Sequence, residues 1–427
     1  MPLSFFAALT LEEWEELTVK WRLERGASIP APGLPELEEL HVPRDTEKQR
    51  LLRLFSSKGV DELPYLLLQG PHAQGKTTLV RQVLREGLET TKGAIYVEVP
   101  VDGTRRDLAR AISKSMNYDP AAWYYASWPE IVFFPALLDR KGKRDDLALY
   151  QKKLVGLAKW FKAKHKRPML LVIDNVNKLA QHDPSALESL RSFAKSMADE
   201  RLIRVIFVTS DGLAPKQLKE GNRSRMETVE MQDITLEQAK TLLRNTVEKA
   251  SDELINRVVC ELTGGRIGNA IRARRVMADK FASTPGVSED EVYRTVETKM
   301  KLEAGGEADI RLSTKEAYKL AGALLARHAS LPPEQKCDVV NNATLTFVDA
   351  VALLGTKERV RELCAGNTFW VRDDDELVSF QSAIAAHLMR KELNVSKEKQ
   401  PKLKELDDLD AVIATGAANA AARATKP

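Results

Sequence analysis

Cysteine is scarce in this chain. Cys260, Cys337 and Cys364 are three among 427 residues, far apart, odd in number, and without any C-x-x-C or His-rich partner spacing. That excludes a small disulfide-held fold and predicts reduced, buried thiols. Long apolar runs are also missing. The longest, 66–68, 131–138 and 169–173, fall well short of the ~18 to 20 residues that cross a bilayer, so neither a membrane span nor a membrane partner is expected. The apolar stretch 3–9 lacks a basic flank and runs into the acidic segment 11–16, unlike a secretory signal. An intracellular protein, cytoplasmic or nuclear, is the expectation. An excess of one charge is lacking too: 65 Lys and Arg against 61 Asp and Glu leave a formal charge of +4. Binding to nucleic acid would therefore need a local basic patch.

What is present is enough chain for roughly two to four domains. No internal repeat is evident. Residues before about Ala31 read as helical, and the proline-rich stretch 30–35 that follows cannot continue a helix. From Tyr65, short apolar runs at 65–68, 95–99, 169–173, 205–208 and 226–231 alternate with amphipathic helical stretches. That pattern predicts a parallel sheet covered on both faces. A mostly helical insert between the second and third runs carries Trp123, Tyr124, Tyr125, Trp128, Phe133 and Phe134, read as core packing rather than base stacking. Asp183 followed by Pro184 predicts a helix start, with a capping carboxylate and proline at the first helical position. From Thr235 to about Arg275 the chain reads as a small helical domain. Further on, 368–372 and 377–380 alternate around the acidic turn 373–376 and predict a β-hairpin, followed by a helix over 383–392. The tail beyond Asn394 is Lys-rich, then Ala-rich, and is expected to be disordered.

The strongest chemical signal is Gly70, Pro71, His72, Ala73, Gln74, Gly75, Lys76 and Thr77, a full G-x-x-x-x-G-K-T between a predicted strand and a helix starting at Thr78. Such a loop turns its main-chain N–H groups toward phosphate oxygens at a helix N-terminus. Lys76 would reach the β and γ phosphates, and Thr77 would ligate magnesium. A second acidic ligand is expected at the end of a neighbouring strand, where the apolar run 169–173 leads to Asp174. Asn175 follows, and an amide cannot accept a proton from an attacking water. Hydrolysis is therefore slow, assisted by Asn175 or Asn177 through orientation only, or dependent on a carboxylate elsewhere. Thr209 or Ser210, at the end of the run 205–208, would sense the γ phosphate or simply mark a strand-to-loop transition. Arg223 and Arg225 offer planar guanidinium groups for phosphate, within the chain or across a subunit contact, or else ordinary surface pairing. Arg266, after Gly264 and Gly265, would report nucleotide state to the helical domain, unless the glycines merely end a helix.

By these residues the chain resembles additional-strand P-loop ATPases of the AAA+ and STAND kind, close to initiator-like and archaeal-type members. The resemblance covers about 42–393. Residues 42–47, including Arg44, are similar to the segment that borders the adenine in those families. Gly70 to Thr77 and Asp174 match the two Walker motifs, Thr209 the first sensor, and Gly264, Gly265 and Arg266 the helical-domain signature. Residues 173–180, 205–212 and 224–227 also resemble the ATPase domain of Crinkler-type effectors and related fungal and protist proteins. Those effectors usually carry an N-terminal ubiquitin-like header and a nuclease or kinase-like end domain, neither of which is recognisable here. The expected fold class is α/β: a parallel-sheet P-loop NTPase core with a helical lid domain and a C-terminal winged-helix domain. The expected divisions are 1–40, an N-terminal helical segment and linker; 41–233, the ATPase core; 234–300, the lid; 301–393, the winged-helix-like domain; and 394–427, the tail.

The resemblance implies an ATP hydrolase with ATP and Mg2+ as cofactors. MgATP binding would drive a conformational or oligomeric switch, with self-association through an arginine finger and an unidentified protein partner. The alternatives are a nucleotide-loaded scaffold with little turnover or a DNA-binding module. Asp373, Asp374, Asp375 and Glu376 on the expected wing would repel nucleic-acid phosphates, which favours protein contact. The basic clusters 162–167 and 272–275 read as solvated helix faces.

Overall fold

A computed structural model describes residues 11–25, 44–56, 64–87, 91–116, 146–210, 213–219, 225–245, 247, 249–307, 315–332, 335–365, 369–371, 377–380 and 382–399. The expected aromatic insert, Arg223, the acidic wing 373–376 and the tail after Lys399 lie outside the described residues. The chain divides into two compact units. The first comprises Met1–Pro35, Pro43–Gly70 and Lys76–Met231, and the second Glu36–Val42, Pro71–Gly75 and Gln232–Pro427. Among the described residues no helix is long and apolar enough to cross a membrane.

The first unit is built on a five-stranded parallel sheet of β1 (Tyr65–Gln69), β2 (Ala94–Glu98), β3 (Met169–Asp174), β4 (Ile203–Val208) and β5 (Met226–Glu230), in the order β2-β3-β4-β1-β5. Helices α1 (Leu11–Arg25), α2 (Asp45–Ser56), α3 (Lys76–Glu86), α4 (Arg105–Met116), α5 (Asp146–His165), α6 (Asn177–His182), α7 (Pro184–Asp199) and α8 (Leu213–Lys219) complete it. The period of two in each strand sends alternate side chains to opposite faces. Tyr65 and Leu67 of β1 enter one apolar cluster with Ile112, Leu154, Phe161 and Leu190, while Leu66 and Leu68 enter another with Leu51, Phe55, Val80 and Val83. A sheet buried on both faces needs near-continuous apolar strands, which is why β1, β3 and β4 are buried along their whole length. The N-terminal helix α1 belongs to this packing: Val19 and Leu23 lie in the first cluster, and Gly93 N donates to Leu23 O at 2.9 Å.

Asp183 caps α7, accepting from Ala186 N at 3.1 Å, with Pro184 as the first helical residue. Its other oxygen accepts from Arg105 N at 3.0 Å, so the same carboxylate also satisfies the opening N–H of α4.

The second unit holds α9 (Leu236–Arg244), α10 (Asp252–Val258), a π-helical turn at Val259–Thr263, α11 (Ile267–Ser283) and α12 (Glu289–Glu307) around one apolar cluster. After these come α13 (Lys315–Ala329), α14 (Val339–Asn342), β6 (Leu345–Thr346), α15 (Phe347–Leu354), α16 (Lys357–Ala365), β7 (Phe369–Val371), β8 (Leu377–Phe380) and α17 (Ala383–Lys399) around another. Ile384 and Leu388 of α17 face the first of these clusters, and Ala386 and Met389 the second. The expected hairpin is present as the antiparallel pair β7 and β8, and the two-residue β6 pairs with the other side of β8. Helix α17 runs to Lys399, past Asn394, where the tail was expected to begin.

Two of the three cysteines are not thiols. Cys260 in the π-helical turn and Cys337 just before α14 form a disulfide, with Cα atoms 4.6 Å apart across 77 positions of sequence. The expectation of reduced cysteines fails because sequence spacing says nothing about two segments that α17 packs together. Cys364 is a buried free thiol, as expected.

Candidate nucleotide-binding site

The C-terminal edge of the parallel sheet gathers the polar residues that the motifs singled out. Side chains at this edge are held by a ladder that continues beyond the strands: Val99 N donates to Asp174 O, Val176 N to Val208 O, Thr209 N to Leu68 O and Met231 N to Gln69 O. Strand β1 ends at Gln69, and the backbone then turns through Ala73 at φ +62° and Gly75 at φ +82° before α3 begins at Lys76. An L side chain at Gly75 would be strained at that φ. A positive φ at a non-glycine such as Ala73 is uncommon and belongs to tight functional turns.

Lys76 is buried, and its Nζ donates to Gly70 O at 2.8 Å, which holds the ammonium over the start of the loop. Thr77 Oγ1 donates to Asp174 Oδ2 at 2.7 Å, joining the first turn of α3 to the end of β3. Thr78 is exposed on the same turn. Asp174 is buried and accepts two further bonds, from Tyr96 Oη at 2.5 Å and from Asn175 N at 2.8 Å. Burial, and then the adjacent Asp174 charge, push the Tyr96 phenol far above its usual range, so it stays a proton donor.

Asn175 sits at φ +61°, a left-handed conformation that asparagine tolerates better than most residues. Its Nδ2 donates to Glu98 Oε1 at 3.3 Å, and Arg81 Nη2 of α3 donates to Glu98 Oε2 at 2.8 Å. Arg81 also stacks on Tyr96, with Cζ 4.9 Å from the ring centroid. Glu98 is the β2 residue in register with Asp174. Sequence reasoning missed both Glu98 and Tyr96. The available signal was that 94–98 is an apolar run ending in a carboxylate, as 169–174 is.

Within the second unit, residues 71–75 are tied by hydrogen bonds to the segment around α11. Arg266 Nη1 donates to His72 O at 2.8 Å, Gly268 N to Ala73 O at 2.8 Å, and Gln74 Nε2 to Asp233 Oδ1 at 2.9 Å. Arg266 is 2% exposed and forms an ion pair with Asp233 at 3.0 Å. Its guanidinium thus grips the loop's own backbone, a partner that reading Arg266 as a reporter of nucleotide state did not foresee. Gly268 has no room for a side chain, since a Cβ there would lie 2.7 Å from the Ala73 Cβ.

Thr209 lies at the same C-terminal edge of the sheet, fully buried just beyond β4 and next to β1, with its main-chain N bonded to Leu68 O. Asn177 is buried at the start of α6. Arg44 is buried ahead of α2 and pairs with Glu47 at 3.2 Å. Arg225 pairs with Asp199 on the surface, beside the start of β5. It lies at the end of β5 opposite the one beside Gly70, about five residues or ~16 Å of strand away, and its pair with Asp199 is the ordinary surface pairing the sequence also allowed.

Magnesium fits the donors present. The Thr77 hydroxyl and the Asp174 carboxylate are hard oxygen ligands already in contact, and no cluster of three or more His, Cys, Asp or Glu ligands occurs among the described residues. Hard oxygen donors of this kind suit a small divalent cation.

Residues 64–217 match the AAA domain family, a stretch running from the start of β1 to α8. Among solved structures, a Walker-type ATPase of Pyrococcus abyssi is similar over 82% of this chain and 95% of its own, at 16% identity and a TM-score of 0.51. Cdc6p from Pyrobaculum aerophilum matches over 86% of this chain and 96% of its own, at 16% identity and a TM-score of 0.39. RuvB of Thermotoga maritima matches over 89% and 100%, at 14% identity and a TM-score of 0.39. No curated protein matches the chain in sequence. The first unit therefore carries a P-loop ATPase-like fold of the AAA type.

Proposed function

We propose that the chain is a P-loop ATPase that binds MgATP and uses it to drive a conformational or oligomeric switch. The observation that carries this reading is the contact of Thr77 with Asp174 at 2.7 Å beside the buried Lys76, at the head of a helix reached through a loop with positive φ at Ala73 and Gly75. A triphosphate would be held by the main-chain N–H groups of 71–77 and by Lys76, which would exchange its Gly70 carbonyl for phosphate oxygens. Thr77 and Asp174 would hold magnesium, which neutralises phosphate charge when bound. Tyr96 and the Asn175 main-chain N–H keep Asp174 aimed, and Thr209 would lie close to the terminal phosphate.

In this reading 234–300 acts as the helical lid and 301–393 as a winged-helix module, with Arg266 linking the phosphate loop to the lid. Arg223 or Arg225 would complete a neighbouring subunit's site, in keeping with AAA-type oligomers. Membership of a STAND or Crinkler-like group belongs to the same proposal. The amide at Asn175 favours slow turnover, and in its extreme form a nucleotide-loaded scaffold. The test is to denature the purified protein, identify any nucleotide released, and compare magnesium-dependent ATP binding of the wild type with Lys76→Ala. Binding lost in the variant is the expected result. Binding unchanged by the substitution, or absent from the wild type, would refute the reading.

A further inference from the structure

The residue after a metal-holding aspartate is where a carboxylate would be needed to take a proton from the attacking water, and here it is Asn175. Glu98 lies directly beside it. It is paired in register with Asp174 at the same edge of the sheet, with Oε1 3.3 Å from the Asn175 amide nitrogen. The other four residues of β2 are buried, yet the Glu98 side chain is 46% exposed, open to water and substrate. Asp174 is already committed to Thr77, Tyr96 and the Asn175 main chain. Glu230, another carboxylate at this edge, ends β5 on the far side of β1 and away from β3.

We propose that Glu98 is the general base for hydrolysis and that Asn175 is its positioning residue. The inference rests on the nucleotide-binding reading above. Arg81 anchors Oε2 and Asn175 anchors Oε1, while a carboxylate has about four acceptor sites, so room remains for one water. Glu98 takes one proton from that water as its oxygen bonds to the γ phosphorus. The bond from phosphorus to the β–γ bridging oxygen breaks, and ADP leaves with the electron pair. The proton then passes from Glu98 to solvent, giving ADP, phosphate and one proton from ATP and water.

The test uses the full chain, with single-turnover ATP hydrolysis and equilibrium binding of a fluorescent N-methylanthraniloyl ATP measured side by side. Glu98→Gln should slow hydrolysis by about 100-fold or more, the usual contribution of a general base, while leaving the analogue's affinity within about twofold. Exchanging the two residues, Glu98→Asn with Asn175→Glu, should restore the rate to within about tenfold of wild type, an outcome that mere repair of folding in the single variant would not give. If Glu98→Gln binds the analogue and hydrolyses ATP at the wild-type rate, this proposal falls while nucleotide binding stands. A wild type that binds the analogue without turnover also overturns it and leaves the scaffold. A wild type that does not bind the analogue removes both.

Discussion

Asp174 illustrates how much one buried charge demands of its neighbours. A carboxylate without donors in such a position would be several kcal/mol unstable, and here two hydroxyls and a main-chain N–H share it. Replacing Tyr96 by Phe removes one donor to a charged acceptor and should lower folding stability by about 1.5–3 kcal/mol, read from urea denaturation. A loss under about 0.5 kcal/mol would mean that the hydroxyl has no part in holding the acid. Sequence made Asp174 visible because the motif names it. Tyr96 was hidden, since a tyrosine in an apolar strand is ordinarily core, and only the register of β2 on β3 reveals that its tip meets the acid.

Among the elements, the pairing of α4 and α7 depends on one cap. Asp183 receives N–H groups from the first turns of both helices and the Ser185 hydroxyl. Burial alone would raise its pKa, but these three hydrogen bonds outweigh burial and hold the carboxyl below its usual range. The stability it contributes is therefore complete above about pH 4, the unfolded value, and is lost as pH falls through the lower folded value. Asp183→Ala should cost about 1–2 kcal/mol at neutral pH, and the deficit should shrink on acidification below pH 4. A deficit independent of pH would show that shape rather than charge matters at this cap. The capping signal itself was plain in the sequence, because an aspartate before a proline has few other uses. So were the five strands, whose apolar runs survive intact from sequence to sheet. The second bond of Asp183, to Arg105 N, joins residues 78 positions apart and had no local signature. The bond between Cys260 and Cys337 was illegible for the same reason, and β6 was too short to leave a pattern.

For the whole molecule, the loop 71–75 bears on how the chain can be divided. Its His72 and Ala73 carbonyls take their donors from Arg266 and Gly268, and Gln74 takes its acceptor from Asp233. A fragment ending at Met231 would keep every strand of the parallel sheet and all of Gly70 to Thr77, yet lack each of these three partners. We expect it to fold, with the cooperative melting of a packed core, but to bind ATP at least tenfold more weakly than the full chain in calorimetric titration. Equal affinity would mean that the loop keeps its shape unaided. The G-x-x-x-x-G-K-T signature is thus a local string whose central residues are held by partners 159 to 195 positions later, so recombining the parallel-sheet unit with a foreign C-terminal half would discard the scaffold of its most recognisable motif.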